Sequence, residues 1–149
     1  MSVELDDRVG SGVPAGEAER VVSATLAAEG IADVEVGLVL LDAPSMQDLN
    51  RVHRALDEAT DVLSFPIDDA DDVPLPGVPR LLGDVAICVP VLLAQAAEQD
   101  VLPGDELTDL LVHGVLHLLG YDHETDQGEM LARQDAIVDG LVTIVWQPA

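Results

Sequence analysis

Lysine is absent from the 149-residue chain, and the only cationic side chains beyond histidine are six arginines: Arg8, Arg20, Arg51, Arg54, Arg80 and Arg133. Against them stand 29 Asp and Glu, a formal net charge of −23. This balance excludes binding of nucleic acid or anionic lipid through a diffuse basic face, because the summed field repels polyanions. Contact with a polyanion must then be local, through a metal or one placed arginine. The same composition suits a salty milieu, where screening shrinks to about 3 Å at 1 M salt.

Cysteine is nearly absent too. Cys88 alone excludes an intramolecular disulfide framework and fits a reducing compartment. It lies in the apolar run Val85–Val89, where a small buried hydrophobe is expected rather than a reactive thiol. The longest apolar stretch, Val85 to Ala97, is interrupted by Pro90 and Gln95 and falls short of the ~20 residues of a membrane span. The opening MSVELDDRVG has neither a basic nor an apolar signal region. A cytoplasmic protein without a membrane partner is expected.

What is present is a substantial core. An apolar fraction of 48% over 149 residues suits one domain. Strands are expected at Val3–Asp7, Val34–Leu41, Val62–Phe65 and Leu81–Val89, from β-rich and alternating composition. Helices are expected at Pro14–Glu29, with Ala18, Val21, Val22, Thr25 and Leu26 inward, and from an N-cap at Ser45 to about Leu56. Others follow at Pro90–Gln99, about Gly104–Leu119 and about Gln127–Val145. The segment Ile67–Pro79, with four Asp and three Pro, reads as an acidic loop. The order β-α-β-α-β-β-α-α-α predicts a single α+β domain over 1–149, with helices packed on a small mixed sheet.

Three of the four histidines fall within eleven residues, His113-Gly-Val-Leu-His117-Leu-Leu-Gly-Tyr-Asp-His123. Residues four apart on a helix share a face, so the imidazoles of His113 and His117 can converge on one cation. Gly120 can end the helix in a left-handed conformation and turn the chain back to deliver His123. Three neutral imidazoles leave the fourth position of a tetrahedral Zn²⁺ open, the arrangement of a catalytic site. Leu107, Leu111, Gly114, Val115 and Leu118 fall on the other side as a core stripe. Asp109, four residues before His113, can accept its second ring N–H or stand as a solvated acid.

The spacing H-x3-H-x2-G-x2-H coincides with the metzincin pattern at each metal ligand and at the glycine. Gly114, however, stands where those proteases keep the glutamate that serves as general base. The cage is of protease type without the protease base, which argues against peptide hydrolysis.

The stretch His113–His123, preceded by Leu110-Leu111-Val112, resembles the signature of the YbeY family, bacterial rRNA maturation factors and endoribonucleases. Three further segments agree: Leu49-Asn50 with Arg54 (L-N-x-x-x-R), Thr60–Pro66 (T-D-V-L-S-F-P) and Leu82-Gly83-Asp84-Val85 (L-G-D-I). The resemblance spans roughly residues 30 to 135. His53 departs from it, standing where the family usually has an aromatic, and so does the acidity. The resemblance implies a central mixed sheet with a metzincin-like three-histidine metal site and one Zn²⁺ on His113, His117 and His123. It also implies action on ribosomal RNA, notably 3′-end maturation of the small-subunit RNA and ribosome quality control. Arg54 matches the family's functional arginine.

A single-strand-specific endoribonuclease is therefore expected, with Arg54 and His113 as catalytic candidates. Zn²⁺ polarises phosphoryl oxygen and lowers the pKa of water to about 7, supplying a nucleophile without a glutamate. Arg54 can stabilise charge developing on a phosphate; its structural alternative is a salt bridge, for example with Asp57 or Glu58. Thr60 and Asp61 are expected to shape a turn, Ser64 is not expected to be a nucleophile, and His53 reads as an exposed or core-edge histidine. The expected partners are ribosomal RNA and the small subunit, with a ribosomal protein or ribosome-associated GTPase as candidate helper, and no DNA. Two alternatives stand beside this reading: an assembly factor with mainly structural zinc, and a metallopeptidase.

Overall fold

In the computed structural model, which describes residues 2–67 and 79–148, the β-rich segments become four strands: β1 (Ser2–Asp7), β2 (Val34–Leu41), β3 (Val62–Pro66) and β4 (Arg80–Cys88). They form one sheet in the order β1-β2-β4-β3. The pairs β1–β2 and β2–β4 are parallel, and β3 runs antiparallel along the edge of β4. The α+β expectation holds, and the sheet is mixed. Of the acidic loop expected over Ile67–Pro79, residues 68–78 lie outside the described residues.

Among the described residues, five helices, α1 (Ala15–Ala28), α2 (Ala43–Arg54), α3 (Val89–Gln99), α4 (Pro103–Leu118) and α5 (Glu129–Asp139), complete the order expected. Along β2 the side chains alternate, and Val34, Val36, Leu38 and Leu40 point into the main core. There they join Val21, Val22 and Leu26 of α1 and Leu107, Leu111, Val115 and Leu118 of α4. Each such side chain, fully buried, contributes about 1.5–3 kcal/mol. The opposite face is covered at one end by α2, whose Met46 packs with Leu41, Leu63, Ala86 and Cys88. Cys88 is buried, as expected. Helix α4 is the hub, lying on β3 and β4 and touching α1, α3 and α5.

Two boundaries differ from the sequence reading. Helix α2 is capped by Asp42 rather than Ser45: the Asp42 carboxylate accepts the Ser45 N–H at 2.8 Å, and Pro44 occupies the first turn. Ser45 is thus the capped residue instead of the cap, and the helix stops at Arg54 because Ala55 is left-handed. The last helix ends at Asp139 instead of about Val145. Gly140 and Leu141 close the helix by donating to the Ile137 and Val138 carbonyls, and the chain then returns to the core: Ile144 N–H donates to Thr108 Oγ1 (3.0 Å) and the Trp146 indole N–H to the Ser11 carbonyl (2.9 Å). Those tertiary bonds outcompete continuation of α5. No described helix is long and apolar enough to cross a membrane.

Candidate metal centre

The last two turns of α4 carry His113 and His117 on the face away from the core, both half-buried. The helix then closes in a Schellman motif: Gly120 N–H donates to the His117 carbonyl (3.0 Å) and Tyr121 N–H to the Leu116 carbonyl (3.1 Å). Gly120 takes φ +99°, a conformation that side chains resist. The reversal brings His123 back over the helix end, so that ligating atoms of His113, His117 and His123 lie within 4.8 Å of one another.

The ring nitrogens are sorted by their outer partners. His117 Nδ1 lies 2.9 Å from the Tyr121 carbonyl, which can only accept, so Nδ1 carries the proton. His113 Nδ1 lies 2.9 Å from Gln134 Oε1, and Gln134 Nε2 reaches the Asp109 backbone carbonyl at 3.5 Å. Both Nε2 lone pairs therefore turn inward, and the two nitrogens stand 3.1 Å apart. Two nitrogens on one tetrahedral Zn²⁺ at 2.0–2.1 Å would be about 3.3 Å apart, so the pair fits such an ion. Burial, and then the neighbouring His113, push the His117 pKa below 6.5, which keeps that imidazole neutral and able to ligate.

Gln134 replaces Asp109 as the partner of His113. Asp109 stays on the cleft wall, where burial and then Asp135 and Asp105 raise its pKa. Gln134 was invisible to spacing, because it lies 21 residues away on α5 and meets His113 only where α5 packs on α4.

A cleft of 710 Å³ between α4 and β3 gathers the three histidines, Gln134 and Arg54. The sequence-selected residues thus meet. Arg54 projects from the end of α2 and pairs with Glu124, beside His123, at 3.7 Å. Neither Asp57 nor Glu58 is its partner; Asp57 is engaged by Arg51 and Gln47. The Asp61 carboxylate accepts the Val62 N–H at the start of β3 (2.8 Å), and Ser64 Oγ donates to the Gly114 carbonyl (2.9 Å). His53 lies outside the cleft, exposed and edge-on to Phe65.

Position 114 explains why no protease base can stand there. A Cβ on Gly114 would lie 2.6 Å from Val85 Cγ1 and 3.4 Å from Val62 Cγ2, so the residue faces the sheet at closest approach. Val85 is fully buried and stiff at χ1 and cannot swing aside. Gly114→Ala should cost about 1–3 kcal/mol through overpacking, read as a lower urea midpoint with an unchanged slope. An unchanged midpoint would mean that the sheet gives way.

The inner wall of the cleft is acidic. Glu106 is buried, and desolvation, then Asp109 and Asp61, raise its pKa above 4.5. The Gln95 amide, oriented with its nitrogen inward, donates to Glu106 Oε1 (3.3 Å) and Asp61 Oδ2 (3.2 Å). A carboxyl with a raised folded pKa favours the fold below its unfolded value and loses that contribution as pH rises through the folded one. Glu106→Gln should therefore raise the melting temperature at pH 7 and lose its advantage below pH 4.5. Melting curves at both pH values check this; a gain independent of pH would assign the effect to packing.

The sequence model of the family described as Endoribonuclease YbeY matches residues 13–142. Among curated proteins, an Endoribonuclease YbeY of Moorella thermoacetica is 47% identical over 129 residues, covering 82% of this chain and 83% of the relative. One from Roseiflexus castenholzii is 42% identical over 146 residues, covering 95% and 92%. The solution structure of a Thermotoga maritima protein superposes with a TM-score of 0.62 at 27% identity, covering 93% of this chain and 87% of that one.

Proposed function

Because the chain belongs to the endoribonuclease YbeY family, we propose that it is a zinc-dependent, single-strand-specific endoribonuclease of rRNA maturation, acting in the cytoplasm on the 3′ end of small-subunit RNA and in ribosome quality control. The observation that carries this reading is one cleft in which three imidazole donors meet Arg54 while position 114 is closed to a protease base. His113, His117 and His123 hold the ion. When bound, zinc supplies a Lewis acid that polarises phosphoryl oxygen and acidifies water. Gln134 and the Tyr121 carbonyl fix the two helical imidazoles in the tautomer that ligates. Arg54 is the residue that meets the reacting phosphate, while His113 acts through the ion, since Gln134 takes its Nδ1 and its Nε2 faces the metal position.

Arg54 exchanges Glu124 for a non-bridging phosphate oxygen. An exposed pair at 3.7 Å gives up little when it opens. The acidic wall formed by Asp61, Glu106 and Asp109 repels the rest of the backbone, so the strand enters by the Arg54 side. With a net charge of −23, delivery of RNA falls to the small subunit, assisted by a ribosomal protein or a ribosome-associated GTPase.

The test is to incubate zinc-loaded protein with precursor rRNA and, in parallel, with an unfolded protein substrate. Cleavage of the RNA alone, abolished by chelation and restored by zinc, is expected. Cleavage of the protein substrate, or RNA cleavage indifferent to chelation, would overturn the reading.

A further inference from the structure

We infer that Glu29, at the end of α1, is a positioning residue for the metal centre. One of its carboxylate oxygens ties together the two segments that carry the outer hydrogen-bond partners of His113 and His117. Oε1 accepts the Tyr121 hydroxyl at 3.1 Å and the Arg133 Nε–H at 3.1 Å. Each donor stands at a critical place. Tyr121 supplies, through its backbone carbonyl, the acceptor for His117 Nδ1. Arg133 immediately precedes Gln134, the partner of His113 Nδ1.

The brace is partly buried and anchored. The Glu29 side chain is only 14% exposed, and Arg133 also donates Nη2–H to the Ala28 carbonyl at 2.7 Å, meeting the negative end of α1. A charge-assisted bond shielded in this way is worth more than an exposed pair. Its two arms lie 92 and 104 residues away in sequence, and neither local turn chemistry nor helix geometry holds them together. Without the carboxylate, the Tyr121 turn and the Arg133–Gln134 turn of α5 lose their shared tether. The inward aim of the two Nε2 atoms then depends on the Schellman turn and on α5 packing alone.

Outer partners that orient metal-binding imidazoles typically govern metal affinity by 10–100-fold. The inference rests on the zinc-site reading above, and the experiment separates the two. Zinc affinity is measured by competition with a chromogenic chelator on the full chain, alongside the melting temperature of the zinc-free protein. Glu29→Ala should weaken zinc binding by up to about tenfold, the lower end of that range, because it acts through the two outer partners. Tyr121→Phe, which removes one arm, should weaken it less, and the double variant should be no weaker than Glu29→Ala alone. Glu29→Gln, which keeps an acceptor oxygen, should restore part of the loss and serves as the folded comparison if the alanine variant does not fold. Zinc affinity within twofold of the parent for Glu29→Ala or Glu29→Gln together with Tyr121→Phe, whatever happens to the zinc-free melting temperature, would reduce the brace to a structural contact. A parent chain that binds no zinc would instead overturn the site reading itself.

Discussion

His117→Ala should abolish zinc binding and, with it, RNA cleavage. His117 contributes the Nε2 atom that faces His113 at 3.1 Å, and its Nδ1 bond to the Tyr121 carbonyl holds the turn from which His123 approaches. Removal therefore deletes one ligand and loosens a second. With two imidazoles left, the coordination falls below that of catalytic zinc sites. The loss has a reading independent of activity. A ligand that binds only the folded state stabilises it by RT ln(1 + [L]/Kd), about 2.7 kcal/mol at a hundredfold excess over Kd. Added zinc should raise the melting temperature of the parent and leave that of His117→Ala unmoved. Metal analysis should find one zinc per parent chain and none in the variant. Full occupancy in the variant would sink the three-histidine site.

Arg54→Ala is the complementary case, with the metal retained and the chemistry lost. The guanidinium reaches the cleft from α2, while the three histidines sit on α4 and the turn after it, and Arg54 touches that turn through the exposed pair with Glu124 rather than through a histidine. Its ion pair among the described residues, with Glu124 at 3.7 Å, joins exposed side chains and contributes no more than about 0–1 kcal/mol. Melting temperature and zinc content should stay at parent values. Single-turnover RNA cleavage should fall by roughly 10²–10³-fold, the loss usual when one donor aimed at developing charge is removed. Arg54→Lys should recover only part of it, since an ammonium cannot offer the planar, two-pronged contact of a guanidinium. Undiminished cleavage in Arg54→Ala would leave the arginine as a tether for Glu124.

Much of this centre is legible in the sequence because it is helical and local. A four-residue interval places His113 and His117 on one face, and a glycine three residues on allows the reversal to His123. The alternation of β2 and the inward residues of α1 follow equally from periodicity. What periodicity missed has a common cause. Asp42 displaced Ser45 as the α2 cap because two good capping residues three apart compete, and the proline between them favours the earlier start. Helix α5 stopped early because Thr108 and Ser11, distant in sequence, claim Ile144 and Trp146.

The sequence by itself determined the clustering of three histidines that could hold a metal ion, the α+β class and the scarcity of cationic partners for RNA, since each follows from intervals along one helix, short-range patterning or composition. Only the tertiary structure decided that Gln134 rather than Asp109 holds His113, that Glu124 pairs with Arg54, that Glu29 accepts from both Tyr121 and Arg133, and that the sheet leaves no room for a side chain at Gly114. Those outcomes depend on how α1, α2, α5 and the sheet pack around α4. Packing joins residues by the shape and volume of elements far apart in the chain, which no interval in the sequence encodes.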